Sequence, residues 1–265
     1  MADTEAVAGT ATVLADRMPA DSPQNPGAPA AKPDEVMSLV DHLTELRNRI
    51  VRSILAVVIG STVGFAFARQ IRELLVSPLP VDSRDLQVFG PGDAFGITLR
   101  IALMVGIILA MPVLLYQLWA FVSPGLTPIE RKALRPWIPL ALFFFALGVT
   151  IAWIVLPFAI GFLLAFTDAT LVANLAAPPY FDFVTTMFLA FGLLMEFPIV
   201  LYALARVGIL SSSRLTTSRR MVILGIAIFA AVATPGGDLI SPLVLGGTMY
   251  ILFELTVVAI RRSGR

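Results

Sequence analysis

Three glutamates in this 265-residue chain stand where a carboxylate needs a reason. Glu45, in VDHLTELRNRI (residues 40–50), lies among Arg47, Arg49 and Arg52, just ahead of a long apolar run. Glu130, in SPGLTPIERKALRP (residues 123–136), lies beside Arg131 and Lys132 in a short polar stretch between two apolar runs. Glu196, in FGLLMEFPIV, lies inside an apolar run, with Pro198 two residues on. The chemistry open to Glu45 and Glu130 is reception of a cationic ligand. The chemistry open to Glu196 is that of an acid in a hydrocarbon setting, where such residues face a cavity, a partner helix or a transport path.

Each acid also has a purely structural use. Leu39, Leu43, Leu46 and Ile50 fall on one helical face, and Ser38 with Asp41 resembles a capping box, so a short amphipathic helix leads into the first apolar run. On that helix Glu45 and Arg49 form an i,i+4 pair, which contributes only about 0.3–0.5 kcal/mol. Thr127, Pro128 and Glu130 make a capping box with Pro at the first helical position. A carboxylate held in that way is also pre-oriented for a ligand. Glu196 is costly at mid-bilayer unless it is protonated or hydrogen-bonded to another span, and Pro198 frees a backbone carbonyl beside it. Glu254 lies seven residues before Arg261 and so about two turns from the surface. In FGPGDAFGITLR (residues 89–100) a Gly- and Pro-rich turn precedes an apolar run, and Asp93 reads as a cap for the helix that follows. His42 reads as an interfacial side chain.

These residues must be positioned by membrane helices. The chain is 57% hydrophobic and 14% charged, with a mean hydropathy of +0.87, which excludes an ordinary soluble domain. Apolar runs at about 50–68, 97–122, 137–164, 183–205, 221–234 and 242–260 predict an all-α protein with six spans, since about 20 residues cross a bilayer as a helix. The fifth run is short and the sixth follows it at once through a turn at Pro235. Residues 1–36 have no apolar run and no basic start; they read as a disordered cytoplasmic tail rather than a cleaved leader. Residues 37–262 form the membrane domain, and 263–265 a short C-terminal end. With the N-terminus inside, 15 of the 19 Lys and Arg fall on the inner side, which places both termini in the cytoplasm.

Several functions are excluded. The chain has no Cys and one His, so disulfides, thiolate metal sites and multi-His metal or haem sites are absent. No phosphate loop, no GxSxG elbow and no HExxH motif occurs. No enzyme, no cofactor and no nucleic-acid partner is expected. A proton-coupled small-solute carrier built on Glu196 stays open as an alternative.

Taken in order, HLTELRNRI, YQLWAFVSPGLTPIER, FGLLMEFPI and ATPGGD resemble the TatC family, the multispanning receptor subunits of the twin-arginine protein translocase. The resemblance covers roughly residues 37–262. Where the family has P-x-E-x-F this chain has PGDAF, with Asp93 and Phe95, and TPGGD stands for the family's TPPD. The resemblance implies a receptor in the inner membrane for signal peptides with consecutive arginines. It implies single-span TatA- and TatB-type partners, contact with membrane lipid, oligomers of several copies, and export of folded proteins driven by the proton-motive force. It assigns Glu45, Glu130 and Arg47 to the Arg-Arg ligand, Glu196 and Pro198 to contact with a partner helix, and Asp93, Phe95 and Pro235 to turns and caps. A guanidinium offers a planar fork that a carboxylate accepts in bidentate fashion, whereas an ammonium is a point charge, so two acids on separate elements distinguish Arg-Arg from Lys-Lys.

Overall fold

The structure is a computed structural model that describes residues 39–167, 175–206, 208, 210, 216–234 and 238–262. The predicted tail at 1–36, the Ser38 cap, the Pro235 turn and the end at 263–265 lie outside these residues. The chain divides into Met1–Val40, of which only the first two residues of a helix are described, and Asp41–Arg265, to which all that follows belongs.

Helix α1 runs from Leu39 to Ala66 without a break. The polar stretch and the apolar run are therefore one helix rather than a short helix leading into a span, because no Pro or Gly interrupts the chain before Gly60. Its second half crosses α3 (Asp93–Val122) at very short range: a Cβ on Gly60 would lie 2.7 Å from the Gly106 carbonyl oxygen, and one on Gly64 would lie 2.8 Å from that of Ala102. Only a residue without a side chain permits that approach.

Helix α5 (Trp137–Leu164) has the predicted bounds and continues through Pro157. It packs against α6 (Ala177–Leu194), and the two backbones nearly touch: a Cβ on Gly148 would collide with the Phe191 carbonyl oxygen and stand 2.8 Å from Met195 Cγ. Helix α6 also packs along α3, and so lies at the centre of the core. Phe181, Met187 and Phe191 of α6, Ile101 of α3 and Leu156 of α5 are almost wholly buried. In a bilayer such contacts hold helices together by van der Waals packing, since lipid tails are as apolar as the side chains.

The predicted fourth span is two helices. α6 starts at Ala177, earlier than the apolar run suggested, because Pro178 and Pro179 occupy first-turn positions, where a missing N–H costs nothing. It stops at Leu194; Met195 and Glu196 form a turn, and α7 (Phe197–Arg206) resumes. The cause is Pro198. Its ring clashes with the carbonyl four residues back, that of Leu194, and it has no N–H to donate there.

Helices α8 (Arg219–Ala233) and α9 (Ile240–Arg262) form the last pair. Arg219 Nη2 of α8 donates to Glu254 Oε2 of α9 at 2.8 Å. Phe253 and Val257 of α9 are fully buried. Among the described residues five segments are long and apolar enough to cross a membrane: His42–Ala66, Asp93–Gly125, Trp137–Leu164, Ala177–Ala205 and Ile240–Arg262. α8, with 15 residues, is about 22 Å long, short of the ~30 Å hydrocarbon core.

One end of the bundle carries α2 (Ala68–Val76), which packs on α3. Tyr180 Oη of α6 donates to the Leu75 carbonyl at 2.6 Å. Among the described residues there is no strand beyond one parallel bridge between Gln87 and Ala176. Asp93 differs from expectation. It is the first residue of α3 rather than its cap, and its Oδ2 accepts from the Phe89 and Gly90 amides at 3.1 and 2.8 Å. It serves the turn before the helix, because a carboxylate at the first helical position reaches back to the turn's amides. Phe95 stands exposed beside that turn.

Candidate functional site

The opposite end of the bundle carries α4 (Pro128–Leu134) and the start of α1. Glu45 is one turn before Arg49 on α1. Arg49 Nε donates to Glu45 Oε1 at 3.0 Å, and Nη2 donates to the same oxygen. Arg49 Nη1 reaches Gln117 Oε1 of α3 at 3.4 Å. The side chains of Arg49 and Glu45 are only 18% and 21% exposed, and Gln117 is buried. Glu45 Oε2 is itself buried and, among the described residues, has no hydrogen-bond partner. A buried carboxylate oxygen without a partner is costly, so a donor brought to it is favourably received.

His42 stacks on Phe121 with ring centroids 4.6 Å apart. The start of α1 is thus held against the last turn of α3, from which the chain passes through Ser123–Gly125 into α4. Arg131 folds that passage back, its Nε and Nη2 donating to the Ser123 carbonyl at 3.1 and 2.8 Å. Thr127 caps α4 with the full capping box. Glu130 Oε2 accepts from Thr127 N at 3.0 Å and from Thr127 Oγ1 at 2.8 Å. The cap read from sequence is therefore present, and it fixes the Glu130 carboxylate at the same end of the bundle as Glu45.

Arg47 is exposed and makes only a 3.5 Å contact with Asn48 Oδ1 among the described residues. Glu196 stands on other elements, at the α6–α7 break, half-buried and with Oε1 lacking a partner among the described residues. Pro198 beside it is buried. Trp137 of α5 stacks on Tyr202 of α7 with centroids 3.7 Å apart, which fixes the helix that follows the break. Gln117, Phe121 and the Trp137–Tyr202 stack escaped the sequence reading. Gln117 left a signal, a lone amide in a helix that is otherwise apolar, but its partner is 68 positions away. Among the described residues no group of three His, Asp or Glu side chains could hold a metal ion.

The arrangement can receive a cation at a carboxylate oxygen that is already desolvated and held in place. Arg47, Arg49, Arg131 and Lys132 make the surroundings basic, so a ligand must offer hydrogen bonds to that oxygen and not charge alone.

Residues 41–247 match the family described as Sec-independent protein translocase protein (TatC). The chain is similar to the TatC protein of Carboxydothermus hydrogenoformans, 36% identical over 225 residues that cover 84% of this chain and 93% of the relative. It is similar to that of Aquifex aeolicus, 34% identical over 83% of this chain and 93% of the relative, and to the chloroplastic TATC of Oryza sativa, 34% identical over 88% and 65%. Its fold is similar to a crystal structure of the twin arginine translocase receptor TatC, with a TM-score of 0.72 and 34% identity over 84% of this chain and all of that one. None of these relatives is an enzyme or a solute carrier, and the carrier reading of Glu196 finds no support among them. Helices that cross a membrane several times, the tethered acids at the α4 end and these relatives agree, and the chain belongs to the TatC family of Sec-independent protein translocase proteins.

Proposed function

We propose that the chain recognises Arg-Arg signal peptides at the α4 end of the bundle and forms the core of a translocase that exports folded proteins with the proton-motive force. The observation that carries this reading is Glu45 Oε2, buried and unpaired beside a partner oxygen that Arg49 already occupies. One arginine of the peptide donates to that oxygen. Glu130, held by its cap, receives the second, and exposed Arg47 orients the peptide backbone through its carbonyls.

In this reading α8 is a sixth, short span, both termini are cytoplasmic, and the protein lies in the inner membrane. Fifteen of the 19 basic residues then fall inside, as the positive-inside rule requires. Single-span TatA- and TatB-type proteins dock along the α6–α7 break at Glu196 and Pro198, and several copies of the chain assemble together.

Binding of a fluorescent signal peptide to the purified protein in nanodiscs tests the receptor role. Arg-Arg peptide binds selectively over Lys-Lys, and Glu45→Gln and Glu130→Gln each lose that selectivity. Equal binding of both peptides, unaffected by either substitution, would overturn it. Cysteine labelling tests the topology: position 235 labels from outside and position 220 from inside. Labelling of both from one side removes α8 from the membrane.

A further inference from the structure

The α2 end of the bundle bears an open cavity of about 530 Å³ that the receptor chemistry does not use. It lies between α2, the segment that follows it, and the first turns of α3 and α6. Its floor is apolar, made by Leu86, Ile97 and Phe181.

The walls are fastened. Tyr180 Oη holds the Leu75 carbonyl. Gln87 N donates to Leu175 O at 2.9 Å and Ala177 N to Gln87 O at 2.8 Å. Arg84 spans the turn after α2, its Nε on the Leu79 carbonyl at 3.0 Å and its Nη2 on that of Ser77 at 2.9 Å.

Four ionisable side chains line the mouth: Arg72, Glu73, Arg84 and Asp85. Two of them are engaged. Glu73 pairs with Arg69 at 3.1 Å, and Arg84 holds the carbonyls just named. Arg72, half-buried, and Asp85, exposed, have no hydrogen bond or ion pair among the described residues. The free charges are therefore one cation and one anion above an apolar floor.

Depth narrows the choice of occupant. The span that contains α3 begins at Asp93 and the one that contains α6 at Ala177. The cavity reaches the first turns of both, which is the level where hydrocarbon meets headgroups. Phe89 and Phe95 stand exposed beside it.

We propose that this cavity binds one phospholipid with a primary-amine headgroup. The phosphate sits on the Arg72 guanidinium, whose planar fork matches it. The ammonium donates to the Asp85 carboxylate, and the start of an acyl chain covers Leu86, Ile97 and Phe181. A headgroup without the amine leaves Asp85 facing an anion, and a quaternary ammonium has no N–H to donate. A volume of this size lies in the range of pockets that hold small molecules.

Native mass spectrometry of the full chain in detergent tests the assignment, with equal amounts of dioleoyl phosphatidylethanolamine, phosphatidylglycerol and phosphatidylcholine added. The wild type retains one phosphatidylethanolamine in preference to the other two. Arg72→Gln lowers that retention by about tenfold, the loss of one charged hydrogen bond. Asp85→Asn keeps binding but erases the preference over phosphatidylglycerol. Ala94→Phe fills the mouth from an exposed position, lowers retention of all three, and carries the test if Arg72→Gln does not fold. Equal retention of the three lipids by the wild type, a preference for phosphatidylglycerol, or wild-type retention in both Arg72→Gln and Ala94→Phe overturns the proposal.

Discussion

Arg49 takes one oxygen of Glu45 from a turn further along the same helix and leaves the other to be satisfied by something else. The two oxygens thus have different tasks. If Oε2 receives the peptide, Glu45→Gln weakens Arg-Arg peptide binding by about ten- to a hundredfold, the worth of one charged hydrogen bond. Arg49→Gln removes the intrahelical pair and the contact with Gln117 but leaves Oε2 in place, and changes affinity by about twofold. Titration of the same fluorescent peptide on both variants checks this, and equal losses would show that Arg49 is part of the receptor.

Thr127 makes Glu130 available by holding it. Thr127→Ala removes the capping hydroxyl, which costs about 0.5–2 kcal/mol of local stability, and leaves the carboxylate held by the backbone amide alone. Peptide affinity falls in Thr127→Ala and returns in Thr127→Ser, which restores the hydroxyl. A loss that Ser does not repair would mean that the threonine methyl, not the cap, matters.

The α5–α6 contact at Gly148 leaves no room for a methyl group. Gly148→Ala costs about 1–3 kcal/mol, as overpacked cores do, and lowers the melting temperature in detergent. Gly247 of α9 has nothing within 4 Å of the position of an added Cβ. Gly247→Ala is neutral or stabilises by about 0.4–1 kcal/mol. Thermal unfolding of the two variants side by side separates packing from helix propensity.

Pro198 produces the α6–α7 break, so Pro198→Ala returns an N–H within reach of the Leu194 carbonyl. The variant melts at a higher temperature. Because the break is proposed to receive a partner helix, cross-linking of a TatB-type protein at position 196 falls in the same variant. Higher stability with undiminished cross-linking would detach the break from partner docking.

The long elements were legible because their signals are local. The α5 bounds follow from the apolar run between Trp137 and Leu164, and the Glu45–Arg49 pair and the Thr127 cap follow from spacing alone. Three features were not legible. Pro198 was visible, but not whether the bilayer segment would kink or break, since that depends on how α7 packs against α9. Pro178 and Pro179 hid the start of α6, because first-turn prolines lower apparent apolarity without opposing the helix. The Gln117 and Phe121 contacts join α3 to α1 across the bundle, and nothing short-range encodes them. Glu45 and Glu130 are proposed as receptor acids from residue types and a family resemblance; the inequality of the two Glu45 oxygens depends on how Arg49 packs beside them.

The ties at the α2 end also decide where the bundle can give. α2 is fastened to α6 by Tyr180, and α3 to α6 at the same end by the Arg100–Asp182 pair at 3.3 Å. A rod clamped at one end moves most at the other. From Arg100 to Val122 α3 runs about 33 Å, so a tilt of about 5° at the clamp carries its far end by about 3 Å. That is about the length of a hydrogen bond. A small rotation at the fastened end would therefore shift α3 against α1 at the Arg49–Gln117 and His42–Phe121 contacts, while the α2 end keeps its shape.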